Sequence, residues 1–240
     1  MRDGYFRSTR HPWPCLLFLL PLLVAYEGGV MWLSEAQGDA LRTGTDSWLR
    51  WVLQEFGLGA MCFPPIIIAA IFVIWNSLRL ADRPRDTMGI WLGMAAESVA
   101  FALILWSLGR LQDPLLEKTG ILEVSRAGVA PGLAQAVSFL GAGIYEELLF
   151  RLMLFPLLLK LLSLTEMSTL LAIGLAMVGS SVAFSAAHHV GPFGELYDPR
   201  VFLFRSLAGM YFATIFQFRG FGIAVGTRSK STRLNSSHRL

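Results

Sequence analysis

Charge and cysteine are both scarce in this sequence. Of its 240 residues, 15% are charged and only two are cysteine. Cys15 and Cys62 each lie alone among apolar residues, a pattern that supports neither a disulfide framework nor a metal site. We expect both to be small buried side chains. A chain with so little charge is also far more apolar than a soluble domain of this size.

Basic residues are in excess only at the end of the chain. The formal net charge is +3 at pH 7, and the isoelectric point is about 9.1. Four of the twenty basic residues and none of the seventeen acidic residues lie at positions 228–240, so the rest of the chain carries a net charge of −1. The basic character therefore belongs to the tail, and the composition predicts no nucleic-acid partner.

Long apolar runs are abundant instead. Hydrophobic residues make up 54% of the chain and the mean hydropathy is +0.55. A membrane-spanning helix needs roughly 20 apolar residues. Such runs occupy positions 14–34, 57–79, 88–109, 134–162, 168–188 and 200–217, with a shorter one at 219–227. They lack the alternating polarity of barrel strands, so the sequence predicts an all-α transmembrane bundle of about six to seven spans, surrounded by membrane lipid.

The N-terminus resembles a signal peptide but has no cleavage site. Basic residues precede the first apolar run, and no small-x-small motif follows it. We therefore expect a retained first span with its N-terminus in the cytoplasm, in a bacterial cytoplasmic membrane. The arginines at 79–85 agree with this orientation, whereas the basic residues at 110–126 oppose it.

Two spans of the N-terminal half contain residues that are unusual in a membrane helix. The first includes Pro21, Glu27 and a Gly28-Gly29 pair, which predict a kinked, tilted or re-entrant helix. The third contains Glu97, either a proton-relay or site residue or an acid that hydrogen-bonds a neighbouring helix. For Glu97 we favour the second role.

Two adjacent glutamates and an arginine lie inside the apolar run at 134–162. A carboxylate at the bilayer centre costs on the order of 2.5–3.5 kcal/mol, so such residues need a partner, a wet cavity or a function. On an α-helix Glu147 and Arg151 share a face and can form an ion pair. Glu146 points about 100° away from that face. This leaves Glu146 free to act as a general base.

A histidine follows on the next apolar run. His188 comes four residues after Phe184 and shares its helix face, and the residues between them are small. Small residues let helices approach closely, so a neighbouring helix can bring Glu146 within reach of His188 around one water molecule. His189 points elsewhere; it has either a site role or an interfacial position, and we favour the latter.

The two motifs together resemble a known family. Glu-Glu-x-x-x-Arg at 146–151, followed by Phe-x-x-x-His at 184–188, is similar to the CPBP family of intramembrane glutamic endopeptidases. That family includes the type II CAAX prenyl proteases and the abortive-infection proteins, and the resemblance covers about residues 131–227. It implies hydrolysis of a peptide bond in a membrane-associated protein or peptide, prenylated or not, by a glutamate-activated water. It also implies that no catalytic metal or other cofactor is required.

The resemblance assigns roles to particular residues of this chain. Glu146 would be the general base, and His188 would hold the attacking water. Glu147, Arg151 and Phe184 would shape the site.

The chain departs from the family at its end. The last family motif is a histidine followed four residues later by asparagine or aspartate, but Arg228 and Thr232 stand at those positions. Residues 231–238 resemble a translated sequencing adapter. We therefore expect N-terminal transmembrane helices at 1–130, a catalytic core at 131–227, and a non-native or disordered tail at 228–240 that replaces the family's final helix. Little or no activity is expected of such a chain.

Other interpretations of the same residues remain open. The ion pair can be purely structural and His188 a core histidine, or the protein can be an inactive relative that acts as an immunity or scaffold protein. Glu146, Glu147, His188 and His189 can also be regarded as metal ligands, although the helical spacing of bundle metal sites is missing. A transporter would use the same buried acids, but repeats and paired broken helices are absent from the sequence.

Overall fold

The apolar runs form helices, as expected for chain segments that must satisfy their backbone groups in lipid. The structure is a computed structural model that describes residues 2–37, 42–57, 63–84, 86–117, 132–190 and 194–236. Every regular element within these ranges is helical. This confirms the predicted all-α bundle. Cys15 is buried as expected, whereas Cys62 and the basic residues at 85 and 118–126 lie outside the described ranges.

The helices are labelled in chain order. They are α1 (Arg2–Ser8), α2 (Pro12–Gln37), α3 (Gly44–Glu55), α4 (Phe63–Ser77), α5 (Thr87–Glu117), α6 (Leu133–Gly141), α7 (Phe155–Leu162), α8 (Thr169–Ala187), α9 (Pro199–Arg219) and α10 (Phe221–Ser236). A short 3-10 turn, Leu80–Asp82, precedes α5. Two π-helical segments, π1 (Ala142–Glu146) and π2 (Leu148–Leu154), connect α6 to α7.

Four helices are long and apolar enough to cross a membrane. They are Pro12–Leu33, Thr87–Leu108, Thr169–Ala187 and Pro199–Arg219, and Pro64–Ser77 is a shorter apolar helix. Only 22–33% of the residues in these spans are buried within the protein. Most of their apolar surface therefore faces outward, as it does where helices contact lipid. The protein is an integral membrane protein.

Helix α2 is not broken at the residues that predicted a kinked, tilted or re-entrant span. It runs through Pro21 and the glycine pair as one continuous helix. Gly29 instead provides room for a neighbour, because a Cβ atom at this position would collide with the Val137 side chain of α6. The glycine thus serves close helix packing rather than a break in the helix.

Helix α10 packs at the centre of the bundle, mainly against α5. Gly222 and Gly226 face Met94 and Ser98 of α5 so closely that a Cβ on either glycine would meet those side chains. This is the small-xxx-small arrangement that lets membrane helices approach. Residues 221–227 are all buried, and the helix continues beyond them to Ser236. The continuation carries residue 228, which the sequence assigned to a tail, into the interior.

A glycine sets the direction in which α10 enters the core. Gly220 adopts a positive φ of +95° between α9 and α10. Its N–H donates to the carbonyls of Ile215 and Phe216, which caps α9. A Cβ here would lie 3.2 Å from the Thr9 carbonyl oxygen, so both the backbone conformation and the space favour glycine.

Candidate active site

The paired glutamates lie on a widened stretch of helix. Their backbone is π-helical on both sides of Glu147, with hydrogen bonds that span five residues instead of four. The predicted ion pair is nevertheless present, with Arg151 Nε 3.3 Å from Glu147 Oε2 and both side chains fully buried. π-Helical segments occur frequently at functional sites.

Arg151 also ties this segment to the next two helices. Its Nη2 donates a hydrogen bond of 2.9 Å to the carbonyl of Gly209 in α9. Its guanidinium lies 4.8 Å from the ring centroid of Phe184 in α8. A Cβ at Gly209 would sit 3.0 Å from Ser181 Cβ, so the glycine allows α8 and α9 to approach. Arg151 therefore connects π2 with α8 and α9.

Glu146 has a partner that the sequence analysis did not foresee. Arg228 of α10 donates from Nη2 to Glu146 Oε2 in a direct ion pair. Its Nη1 is 3.9 Å from Glu147 Oε1, and its guanidinium lies 4.6 Å from the centroid of Phe184. The expectation that Glu146 is left unpaired is therefore wrong. A signal for this contact was available in the sequence, because Arg228 stands where the resembled family has its last motif histidine.

His188 is the first residue after α8. Its Nδ1 is 2.9 Å from the carbonyl oxygen of Phe184. Since a carbonyl can only accept, Nδ1 carries the hydrogen of this bond. In the neutral imidazole the proton is then on Nδ1, and Nε2 holds a lone pair that can accept from water.

One cavity brings the two predicted catalytic residues together. It has a volume of about 570 Å³, and its lining includes Glu146, His188 and Phe150. The opposite wall comes from α3, through Trp48 and Trp51. A carboxylate and an imidazole thus face a space of mainly aromatic and aliphatic character, large enough for a short segment of peptide.

Helix α3 is held in place by a buried group of charges, which we name the anchor cluster. Asp46 accepts hydrogen bonds from Tyr26 Oη at 2.8 Å, Arg50 Nε at 2.8 Å and Arg42 Nη1 at 3.0 Å. Glu27 of α2 accepts from Arg50 Nη2 at 2.8 Å and from Tyr145 Oη at 2.9 Å. The cluster consists of Tyr26, Glu27, Arg42, Asp46, Arg50 and Tyr145.

The anchor cluster connects the aromatic wall of the cavity with the π1 segment. Tyr145 donates a hydrogen bond to Glu27 of the cluster and directly precedes Glu146, the predicted base. Sequence reasoning missed this connection. The four-residue spacing of Asp46 and Arg50 was an available signal, but their pairing with Glu27 is a long-range contact.

Glu97 and His189 lie apart from this arrangement. Arg219 donates to both carboxylate oxygens of Glu97, at 2.7 Å and 2.5 Å, so Glu97 hydrogen-bonds a neighbouring helix as favoured above. The Nδ1 of His189 donates to the carbonyl of Glu195 at 3.1 Å, and its ring packs on Tyr197.

The four candidate metal ligands do not form a donor set. Within the described ranges, no group of three or more His, Cys, Asp or Glu side chains lies close enough together to hold a metal ion. Glu146 pairs with Arg228, Glu147 pairs with Arg151, and His189 faces the segment after α8. The metal interpretation therefore has no support from the geometry.

Comparison with known proteins gives a family match over the region that contains the candidate site. Residues 128–227 match the family model described as type II CAAX prenyl endopeptidase Rce1-like. No curated protein and no solved structure matches the chain. The matched range includes both glutamates, Arg151 and His188, and it ends one residue before Arg228. Over residues 128–227, the chain is therefore similar to type II CAAX prenyl endopeptidases of the Rce1-like family.

Proposed function

We propose that the cavity between α3, π1 and α8 is the active site of an intramembrane endopeptidase. The observation that carries this proposal is that Glu146 and His188 line one cavity. The substrate is a membrane-associated protein or peptide, prenylated or unmodified, that enters between the helices. The apolar lining from Trp48 and Trp51 suits a hydrophobic segment next to the scissile bond.

In the proposed reaction Glu146 acts as the general base. Its carboxylate takes a proton from a water molecule, and the resulting hydroxide adds to the carbonyl carbon of the peptide bond. The tetrahedral intermediate collapses when the C–N bond breaks and the leaving nitrogen takes the proton back from Glu146. His188 Nε2 accepts a hydrogen bond from the same water and orients it, because its Nδ1 hydrogen is engaged by the Phe184 carbonyl.

Arg228 opposes this reaction in the chain as it stands. Its ion pair occupies the carboxylate that must receive the proton. We therefore expect little or no turnover while Arg228 holds Glu146.

The same ion pair favours a second candidate function. A family member whose base is neutralised by an internal arginine keeps the fold and the cavity without the chemistry. Such a protein would act as an immunity or scaffold protein that binds a membrane partner without cleaving it.

Substitution of Arg228 and Thr232 separates these candidates. In detergent, with farnesylated and unmodified peptides and mass spectrometry of the products, we expect no measurable cleavage by the unaltered chain. Arg228→His with Thr232→Asn should cleave at least one peptide, and adding Glu146→Gln or His188→Ala should abolish that cleavage. Zinc analysis of the purified double variant tests the metal interpretation.

Each result has a defined meaning. Vigorous cleavage by the unaltered chain would show that Arg228 leaves Glu146 during turnover. A folded double variant that cleaves neither peptide would favour the scaffold function. Cleavage that survives Glu146→Gln would remove Glu146 from the mechanism.

A further inference from the structure

A second cavity lies at the ends of four helices, away from the active site. It has a volume of about 480 Å³ and is lined by Phe6, Arg7, Arg10, Arg79 and Phe218. These residues stand in α1, before the start of α2, after the end of α4 and at the end of α9. Since α2 and α9 are membrane spans, their ends lie at the membrane surface. We name this site the arginine pocket.

The positive charge of the arginine pocket is poorly compensated. Arg7 Nη2 and Arg79 Nη2 approach the same oxygen of Asp82, at 3.8 Å and 3.7 Å. Both distances exceed a hydrogen bond, and the second pair is partly exposed to solvent. Within the described part of the chain, no carboxylate lies within ion-pair distance of Arg10. One acid therefore faces three guanidinium groups.

Neighbouring arginines of the same surface have close partners within the protein. Arg219 donates two hydrogen bonds to Glu97, and the guanidinium of Arg83 lies 3.7 Å from the ring centroid of Trp13. The contrast indicates that the three arginines of the pocket are available for an anion from outside. Guanidinium groups bind phosphate oxygens through paired hydrogen bonds.

The backbone around the arginine pocket is fixed by contacts between helices. The Thr9 hydroxyl donates to the carbonyl of Arg219 at 3.1 Å. The ring of His11 donates from Nε2 to the carbonyl of Arg79 at 3.1 Å. The turn that carries Arg10 is thus fastened to the ends of α9 and α4, which fixes the backbone positions of Arg10 and Arg79 relative to each other.

The exposed aromatic residues of the arginine pocket favour a phosphate compound that has an apolar part. Phe6 is 50% exposed and Phe218 is 65% exposed, and both line the same cavity as the arginines. Inorganic phosphate gains nothing from exposed phenyl rings, whereas the glycerol and acyl parts of a phospholipid do. We propose that the arginine pocket binds the phosphate headgroup of an anionic phospholipid, with its apolar part on Phe6 and Phe218.

Native mass spectrometry of the full chain in detergent tests this site, with phosphatidylglycerol and phosphatidylcholine as probes. The test variant is Arg10→Gln with Arg79→Gln, which removes both charges, keeps two of the three methylene groups of each side chain and leaves the Arg79 carbonyl bonded to His11. The matched control is Lys160→Gln with Arg200→Gln, two exposed positions outside the pocket. It removes the same amount of charge.

We expect the unaltered chain and the control to retain phosphatidylglycerol in preference to phosphatidylcholine. The test variant should lose retention on the order of tenfold or more, because each arginine near an anionic lipid contributes about one kcal/mol. Equal loss in both variants would overturn the site, because it would reflect only overall charge. Displacement of the lipid by equimolar inorganic phosphate would show that the pocket binds phosphate alone.

A third variant keeps the proposal testable if the glutamine variant does not fold. Arg10→Lys with Arg79→Lys preserves the charge but replaces two forked donors with point charges. Its lipid retention should fall severalfold, and unchanged retention would contradict a headgroup site. None of these residues lines the active-site cavity, so the outcome is independent of the proposed peptidase function.

Discussion

The protein buries two groups of acids and arginines, and the groups differ in how their acids are satisfied. In the anchor cluster Asp46 accepts three hydrogen bonds and Glu27 accepts two. At the active site Glu147 lies within ion-pair distance of two arginines, yet neither of its oxygens accepts a hydrogen bond from the described residues. Acids that are similarly buried within the protein therefore have different hydrogen-bonding partners.

The difference separates a hydrogen-bonded network from a group of acids that is compensated mainly by charge. A buried ion pair repays its desolvation only when hydrogen bonds satisfy the remaining polar atoms. Tyr26 and Tyr145 supply those bonds in the anchor cluster. At the candidate site Glu147 has no such donor among the described residues and is compensated by the charges of Arg151 and Arg228, whereas Glu146 pairs directly with Arg228.

We expect the largest effect on stability from a substitution that breaks the hydrogen bonds of the anchor cluster. Asp46→Asn removes the charge that binds Arg42 and Arg50, and we expect it to lower the free energy of unfolding by about 3 kcal/mol. Glu27 remains near both arginines, which keeps the loss near the low end for a broken buried pair. Thermal unfolding in detergent measures it. A loss below about 1 kcal/mol would mean that the cluster is not structural.

The same acid-to-amide change at Glu147 of the candidate site should lower the free energy of unfolding by less. Glu147→Gln removes no hydrogen bond accepted from the described residues, and Arg151 keeps the carbonyl of Gly209 and the ring of Phe184. We expect a loss of about 2 kcal/mol, smaller than for Asp46→Asn. The exposed Glu166→Gln is the control for the amide exchange and should change nothing. A larger loss of stability for Glu147→Gln than for Asp46→Asn would contradict the proposed difference between the two groups of acids.

We expect the smallest effect on stability at Tyr145, which belongs to the anchor cluster and directly precedes Glu146. Tyr145→Phe deletes one hydroxyl and its bond to Glu27, which should cost about 1 kcal/mol. Tyr197→Phe, at a position 65% exposed, is the matched control. In the activated double variant, Tyr145→Phe should also reduce the rate of peptide cleavage, because it loosens the residue beside Glu146. A stability loss without any change in rate would confine Tyr145 to the anchor cluster.

Much of the architecture follows from the sequence because its causes are local. Apolar run length predicted six to seven spans, of which four are described helices long and apolar enough to cross a membrane. The four-residue spacing predicted that Glu147 and Arg151 pair. The motifs at Glu146 and His188 predicted that these residues come together at one site, and both line the same cavity. Their catalytic roles remain predictions.

The features that escaped prediction depend on contacts between distant segments. Residues after 227 have no apolar periodicity, yet α10 continues through Arg228 because its first turns are fixed against α5. The role of α3 depends on Glu27, which lies in another helix. Residue spacing also does not distinguish π-helical from α-helical hydrogen bonding, so the widened segment at 142–154 could not be foreseen.

The π-helical segment has a consequence for how the site tolerates change. Losing one residue in this segment would rotate the following positions by about 100° relative to the preceding ones if the helical geometry were otherwise unchanged. A loss between Glu147 and Arg151 would shorten their spacing from four residues to three, and a loss before Glu147 would move both relative to α6. Side-chain substitutions in this segment alter one contact at a time, whereas a single insertion or deletion displaces every contact after it. The number of residues in this segment is therefore as strict a requirement of the site as their identity.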